Sequence, residues 1–292
     1  MRVTALKDVE PRPRRVAVGE FDGVHAGHRE VIAGNDTVLT FEPHPATVVR
    51  PERAPKLLTS LEVKTELIAG LGVEELVIVP FDEVFAKQEA PEFVDSVLVE
   101  RLGATSVSVG ENFRFGHGVH GDATLLAADP RFETRVVPLV SIDGATVSST
   151  RIRALVEVGE VEHAARLLGA PFRIRSQVVG GDQRGRELGF PTANMVPDDS
   201  LVCPGHGVYA CRVGDRLAAV NVGVRPTFGD GLKLLVESFL LDFAGDLYGE
   251  VLTVEFIARL RGEARFANID ELIEQMAQDV ERTRELLASR VE

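Results

Sequence analysis

The hydrophobic pattern of this chain changes once, near residue 170, and that change constrains the fold more than any other feature. Before it, short β-branched runs alternate with helical patterns. RRVAVGEF, TVLTF, ELVIVPF, TSVSVG and RVVPLV read as buried strands. TSLEVKTELIAGLG reads as a helix, with Thr59 and Glu62 at capping-box spacing and Gly72 near its stop. A second helix is predicted from Pro91 to about Leu102, with a stripe of Phe93, Val94, Val97, Leu98 and Leu102 and an end at Gly103. Strands alternating with helices predict a parallel α/β sheet. After the change, QVVGG, GVYACRV, LAAVNVGV, KLLVESFLLDF and EVLTVEFIARL follow one another across Gly, Pro and Asp turns, which predicts an antiparallel barrel or sandwich. A long helix closes the chain behind the cap pair Asn268 and Glu271. The 292 residues have room for two domains, expected at 1–169 and 170–292.

Hydrophobic residues make up 45% of the chain, enough for a real core in each half. The net charge of −13 argues against nucleic-acid and anionic-membrane partners, but leaves room for a small anion held by local arginines and backbone amides. Cys203 and Cys211 have no metal-ligand spacing and read as idle thiols of a reducing compartment. The opening MRVTALKDVEPRPRR has no apolar core of the signal-peptide kind, and no run is long enough to span a bilayer, so a cytoplasmic location is expected.

VGEFDGVHAGH (18–28) reads as a strand, a glycine turn and a helix start, a place where backbone N–H groups face an anion. His25 and His28 would add donors for a phosphate. A zinc pair or a solvated turn is the alternative. Zinc would need further ligands such as His44, His117 and His120, but no Cys or acidic partner shows zinc spacing, so phosphate is favoured. VSSTRIR follows a glycine turn and opens a helix. Ser148, Ser149 and Thr150 can cap it while Arg151 holds a polyphosphate; alone, a capped helix with a surface arginine is the preferred reading. VGENFRFGHG places Asn112 and Arg114 at a strand end, where open α/β sheets bind ligands, or else forms a loop pinned by Phe113 and Phe115.

In the second half, VVGGDQRGRELGFPTAN (178–194) carries Gly180, Gly181, Gly185 and Gly189 in a flexible loop. Gly180 and Gly185 have P-loop spacing, but Arg186 and Glu187 stand in place of Lys and Ser/Thr, so it is no Walker motif. Thr192 and Asn194 would share one strand face, which suits joint ligation of Mg²⁺ or a phosphate; a turn with a self-bonded Asn is the alternative. Glu237 in VESFLLDFAGDLYG lies on a solvent face by default, or is buried for a purpose.

GEFDGVHAGH, TFEPHP, GENFRFG and VSSTRIR, in that order, resemble the adenylyltransferase half of the bacterial bifunctional riboflavin kinase/FMN adenylyltransferases, or FAD synthetases. PTAN, GVYA, NVGVRPTF, VESFLLDFAGDLYG and FIARLRGEARF resemble the kinase half, so the likeness runs from about Val16 to the last helix. It implies a Rossmann-like nucleotidyltransferase domain with a parallel sheet, and an antiparallel riboflavin-kinase β-barrel closed by a long helix. It implies ATP as co-substrate of both reactions, Mg²⁺, riboflavin as substrate, FMN as intermediate and FAD as product. His25 and His28 match the superfamily's His-x-Gly-His and would grip ATP phosphates. Gly19, Phe21, Asp22, Gly23, His44, Asn112, Arg114, Ser148, Ser149, Thr150 and Arg151 would bind ATP or FMN around them. In the kinase half, Gly180, Gly181, Arg184, Gly185, Pro191, Thr192, Asn194 and Arg261 would bind ATP or riboflavin, with Thr192 and Asn194 at the metal and Glu237 as the base.

Two departures stand out. Only REVIAGND separates the His-x-Gly-His turn from the TFEPHP strand, which predicts a first helix cut to a turn or two, or an irregular connection. Phe239 stands where the family has a histidine two residues after the glutamate, which implies a slower kinase rather than a dead one. Three rival readings remain: a kinase with a decayed first half, a zinc-dependent hydrolase, and a non-catalytic flavin or nucleotide carrier.

Overall fold

The computed structural model describes residues 1–180, 190–226 and 232–288. They form two compact units, Met1–Ser149 and Thr150–Glu292. The expected division at 169/170 falls after two helices, Ser149–Glu157 and Val161–Leu168, that lie almost wholly in the second unit.

The first unit runs β1 (Arg2–Ala5), β2 (Arg14–Val18), α1 (Ala26–Ile32), β3 (Thr37–Glu42), α2 (Pro45–Val49), α3 (Leu61–Ala69), β4 (Glu75–Pro80), α4 (Ala90–Phe93), β5 (Ala104–Gly110), the ribbon β6 (Arg114–Phe115) with β7 (Gly121–Asp122), α5 (Ala123–Ala127), β8 (Glu133–Val137) and the ribbon β9 (Ser141–Ile142) with β10 (Ala145–Thr146). Six strands make one sheet in the order β1-β4-β3-β2-β5-β8, every neighbouring pair parallel. From β2 the chain builds outward through β3 and β4, then returns to place β5 on the other side of β2. The order therefore reverses between β2 and β5, where open parallel sheets leave a crevice at their carboxyl ends.

Both faces are covered, which is why these strands read as continuous apolar runs. Val16, Val18, Leu39, Phe41, Val77 and Val79 face Phe93, Val94, Val97 and Leu98. The alternating residues Ala17, Val38 and Leu76 face Val31, Ile32 and Ile68 of α1 and α3. Three local expectations change. The helix predicted from Pro91 is α only over α4 and continues as a wider π-helix over Val94–Arg101, with Gly103 beyond it at φ 62°. α3 is capped by Ser60, whose Oγ accepts from the Val63 N–H at 3.3 Å, because Thr59 spends its hydroxyl on Gly23. β1 was not expected: four residues are too few to show alternation, and its pairing with β4 creates it.

α1 has seven residues, about two turns. The crossover from Val18 to Thr37 still reaches, because the glycine turn before α1 is part of it. Arg135 of β8 closes the carboxyl end of α1: its Nη2 donates to the carbonyls of Glu30, Val31 and Ala33 at 2.9, 2.9 and 2.7 Å. Its Nε donates to Ser108 at 3.1 Å, and Ser108 donates on to Asn35 at 3.2 Å.

α6 (Ser149–Glu157) begins at the division and α7 (Val161–Leu168) follows. β11 (Phe172–Val179), β12 (Ala193–Met195), β13 (Gly207–Val213), β14 (Arg216–Pro226), β15 (Leu232–Leu240) and β16 (Val251–Arg261) close a barrel in the order β11-β12-β15-β14-β13-β16, all pairs antiparallel. α8 (Ile269–Ala288) is opened by the cap expected: Asn268 Oδ1 accepts from the Glu271 N–H at 2.9 Å. α8 buries Leu287 against Ala210, Ile257 and Ala258 of the barrel. Both cysteines are free thiols, and burial pushes the Cys211 thiol well up.

Candidate active sites

The turn leaving β2 is built from buried residues in unusual backbone. Phe21, Gly23 and Val24 have φ of 51°, 82° and 43°. The Asp22 carboxylate, 2% exposed, accepts from the N–H groups of Leu58 and Thr59 at 2.8 and 3.2 Å. Gly23 N–H donates to Thr59 Oγ1 at 3.2 Å, Val24 N–H to the Phe21 carbonyl at 3.1 Å, and His28 N–H to His25 Nδ1 at 3.2 Å. These three amides are already paired, one with Thr59 and two within the turn and the helix start. His25 caps α1 through Nδ1, and the tautomer that satisfies this bond keeps its proton on Nε2.

The two imidazoles stack at 3.5 Å with 15° between planes, and Phe21 meets His28 edge-on at 5.4 Å. A Cβ on Gly27 would stand 3.3 Å from His25 Cε1, so a side chain there would press on the ring. Burial first, then the charges of His25 and Lys64, hold the His28 pKa well below the usual histidine range. A neutral imidazole here can donate one hydrogen bond, from whichever ring nitrogen carries the proton.

The neighbouring strand ends bring in other expected residues. Beyond β3, His44 Nδ1 accepts from the Ala46 N–H at 3.1 Å while Nε2 meets Glu20 Oε2 at 2.7 Å. Ser149 Oγ donates to the Asp22 carbonyl at 3.1 Å, joining VSSTRIR to the glycine turn. Ser148 precedes α6, and Thr150 and Arg151 lie in its first turn. Asn112 and Arg114 follow β5 and are exposed; Arg114 Nη1 donates to the Phe113 carbonyl at 2.9 Å. Gly19 follows β2, its N–H donating to the Leu39 carbonyl at 3.2 Å.

Lys64, on α3, was missed. It is 2% exposed, and burial lowers its pKa against the opposing pull of Glu42, Asp22 and Glu20. The only sequence signal was its place beside Val63 in an amphipathic helix.

In the barrel, β12, β15 and β14 align three polar side chains. Asn194 and Asn221 both stand opposite Glu237 in register, and Asn221 Nδ2 donates to Glu237 Oε2 at 3.1 Å. Glu237, Asn221, Phe239 and Arg261 line a cavity of about 720 Å³ that α8 also walls through Met276 and Asp279. Asn194, Pro191, Leu240 and Tyr248 line a second cavity of about 550 Å³, and Thr192 lines both. Glu237 is thus on a cavity wall rather than on an open solvent face. Phe239 packs edge-on against Phe190 at 5.2 Å. Arg261 is held to Asp279 by a two-pronged ion pair, Nε to Oδ1 at 3.0 Å and Nη2 to Oδ2 at 2.8 Å. Gly180 is described and exposed; Gly181, Arg184 and Gly185 lie outside the described residues. Asn221 was also missed, since nothing in AVNVGV marks it.

Among the described residues, no three His, Cys, Asp or Glu are grouped to hold a metal ion. No described helix is long and apolar enough to cross a membrane.

A parallel sheet with stacked histidines at its switch point, followed by a closed barrel with Glu237 on the wall of one of two cavities, fits a two-domain nucleotide-dependent transferase. The family model described as FAD synthetase matches residues 7–151, and that described as riboflavin kinase matches residues 168–287. The chain belongs to the bifunctional riboflavin kinase/FMN adenylyltransferase family. The protein of that name from Escherichia coli K12 is 38% identical over 282 residues, covering 90% of each chain. The one from Listeria monocytogenes is 38% identical over 290 residues, covering 94% of this chain and 92% of its own. A crystal structure named as a macrolide-efflux protein from Streptococcus pneumoniae matches with a TM-score of 0.87 at 31% identity, covering 97% of this chain and 99% of that one.

Proposed function

We infer that this chain phosphorylates riboflavin to FMN in its barrel and then adenylylates FMN to FAD in its parallel-sheet domain, using one ATP for each step. The kinase activity is assigned to 170–292 and the adenylyltransferase to 1–169. The observation that carries the reading is the pair of cavities that share Thr192, with Glu237 on one and Asn194 on the other. The larger would take the flavin and the smaller the nucleotide. Glu237 takes the proton from the terminal ribityl hydroxyl as its oxygen bonds to the γ-phosphorus and the bond to the β-phosphate oxygen breaks, releasing ADP.

Thr192 and Asn194 offer hard oxygen donors that suit Mg²⁺, which takes few protein ligands and completes its shell with phosphates and water. The Asn194 Nδ2 is turned to the Thr192 carbonyl at 3.4 Å, which leaves Oδ1 for that role. When bound, the ion supplies charge neutralisation at the transferring phosphate.

In the first domain, an FMN phosphate oxygen bonds to the α-phosphorus of ATP and pyrophosphate leaves. An ionised phosphate needs no general base, so the site's work is charge stabilisation. His25 and His28 supply hydrogen-bond donors, with Asn112, Arg114, Ser148, Ser149, Thr150 and Arg151 around the phosphates. Glu20 and His44, paired across the mouth of the turn, orient one another. His28→Asn should abolish FAD formation and leave riboflavin phosphorylation within about twofold. Glu237→Gln should stop FMN formation and leave FAD formation from supplied FMN intact. Loss of both activities in either variant, measured by product chromatography, would contradict the division of labour.

A further inference from the structure

We propose that Asn221 is the positioning residue of the kinase half: it fixes the carboxylate of Glu237 for proton transfer. The inference rests on Glu237 being the base. β14 places Asn221 opposite Glu237 in an antiparallel ladder, and directly opposed residues project from the same face of a sheet. Asn221 Nδ2 donates to Glu237 Oε2 at 3.1 Å, and both residues line the 720 Å³ cavity.

The other flanking amide cannot do this as it stands. Asn194 is also opposite Glu237, but its Nδ2 is turned to the Thr192 carbonyl and it lines the smaller cavity. Phe239, two residues along the same face, has no donor and packs on Phe190. Ala219, which pairs with Phe239, has none either.

The consequence is geometric. A glutamate side chain has three rotatable bonds, and a free carboxylate samples orientations that do not meet the hydroxyl. With Oε2 held by an amide fixed on the neighbouring strand, Oε1 is left for the ribityl hydroxyl. Orientation of this kind is realised in the rate of the chemical step rather than in flavin binding.

The test uses the full-length protein with riboflavin, ATP and Mg²⁺. Asn221→Asp keeps the shape but replaces the donor with an acceptor facing Glu237. Asn221→Ala removes the group with a smaller electrostatic change. Initial rates give kcat and KM, quenching of riboflavin fluorescence gives Kd, and FAD formation from supplied FMN checks the rest of the same sample. We expect kcat for riboflavin phosphorylation to fall roughly tenfold or more in both variants, further for Asn221→Asp, with KM and Kd for riboflavin within about threefold. A kcat within about threefold of the parent in both variants overturns the proposal. So does a loss of riboflavin binding in step with kcat, which would make Asn221 a structural or binding residue. Glu237→Gln separates the two levels: if it turns over at the parent rate, the base assignment itself fails, whereas an inactive Glu237→Gln beside fully active Asn221 variants sinks only the positioning role.

Discussion

His28 sits where burial, a stacked imidazole at 3.5 Å and a buried lysine all oppose a positive charge. Its folded pKa lies well below that of a free histidine, so the unfolded chain binds more protons over the interval between the two. Stability therefore falls as pH drops from about 6.5 toward the lowered value, by at most ~1.4 kcal/mol per pH unit for one proton. His28→Asn should flatten that slope, as read from urea unfolding between pH 7 and pH 5. Lys64 contributes to the same balance. Because burial outweighs the three carboxylates around it, its charged form is disfavoured by folding. Lys64→Met should raise the His28 titration midpoint followed by NMR, because it removes one of the charges that lower it. The imidazoles were legible because the His-x-Gly-His spacing is local. Lys64 was not, since its burial and the carboxylates of Glu42, Asp22 and Glu20 that act on it depend on segments brought together from elsewhere in the chain.

Short elements here depend on distant side chains. α1 is only about two turns long, below the length at which a helix is stable alone, and Arg135 satisfies its last carbonyls from across the sheet. Arg135→Ala should destabilise the first domain by about 2 kcal/mol and increase amide exchange in α1, with FAD formation falling more than FMN formation. If α1 exchange is unchanged, the arginine does not hold the helix. At the other end of the chain, Arg261 clamps α8 to β16 through Asp279, which is 6% exposed. Arg261→Ala should loosen the wall of the larger cavity and, if that cavity takes the flavin as proposed, raise the riboflavin KM several-fold, a shift that steady-state kinetics would show. The shortening of α1 was readable as missing residues, but its remedy was not. Arg135 lies about a hundred residues away, in a strand whose sequence only said that it was buried. The Asn268–Glu271 cap, by contrast, was legible because both partners lie within one helical turn. β1 and the π-helical stretch were hidden because pairing with β4 and packing on the sheet, rather than local pattern, create them.

The two halves carry separate chemistries on separate architectures, and the change in hydrophobic period near residue 170 already distinguished a parallel sheet from a barrel. Strand order, barrel closure and the pair of cavities could not be read that way, because they depend on which strands pair. One chain performing both transfers in sequence is tested by incubating the purified protein with riboflavin, ATP and Mg²⁺ and separating riboflavin, FMN and FAD by chromatography over time. FMN is expected first and FAD after it. Accumulation of FMN with no FAD would contradict a working first domain, and neither product from bound riboflavin would contradict the enzyme altogether.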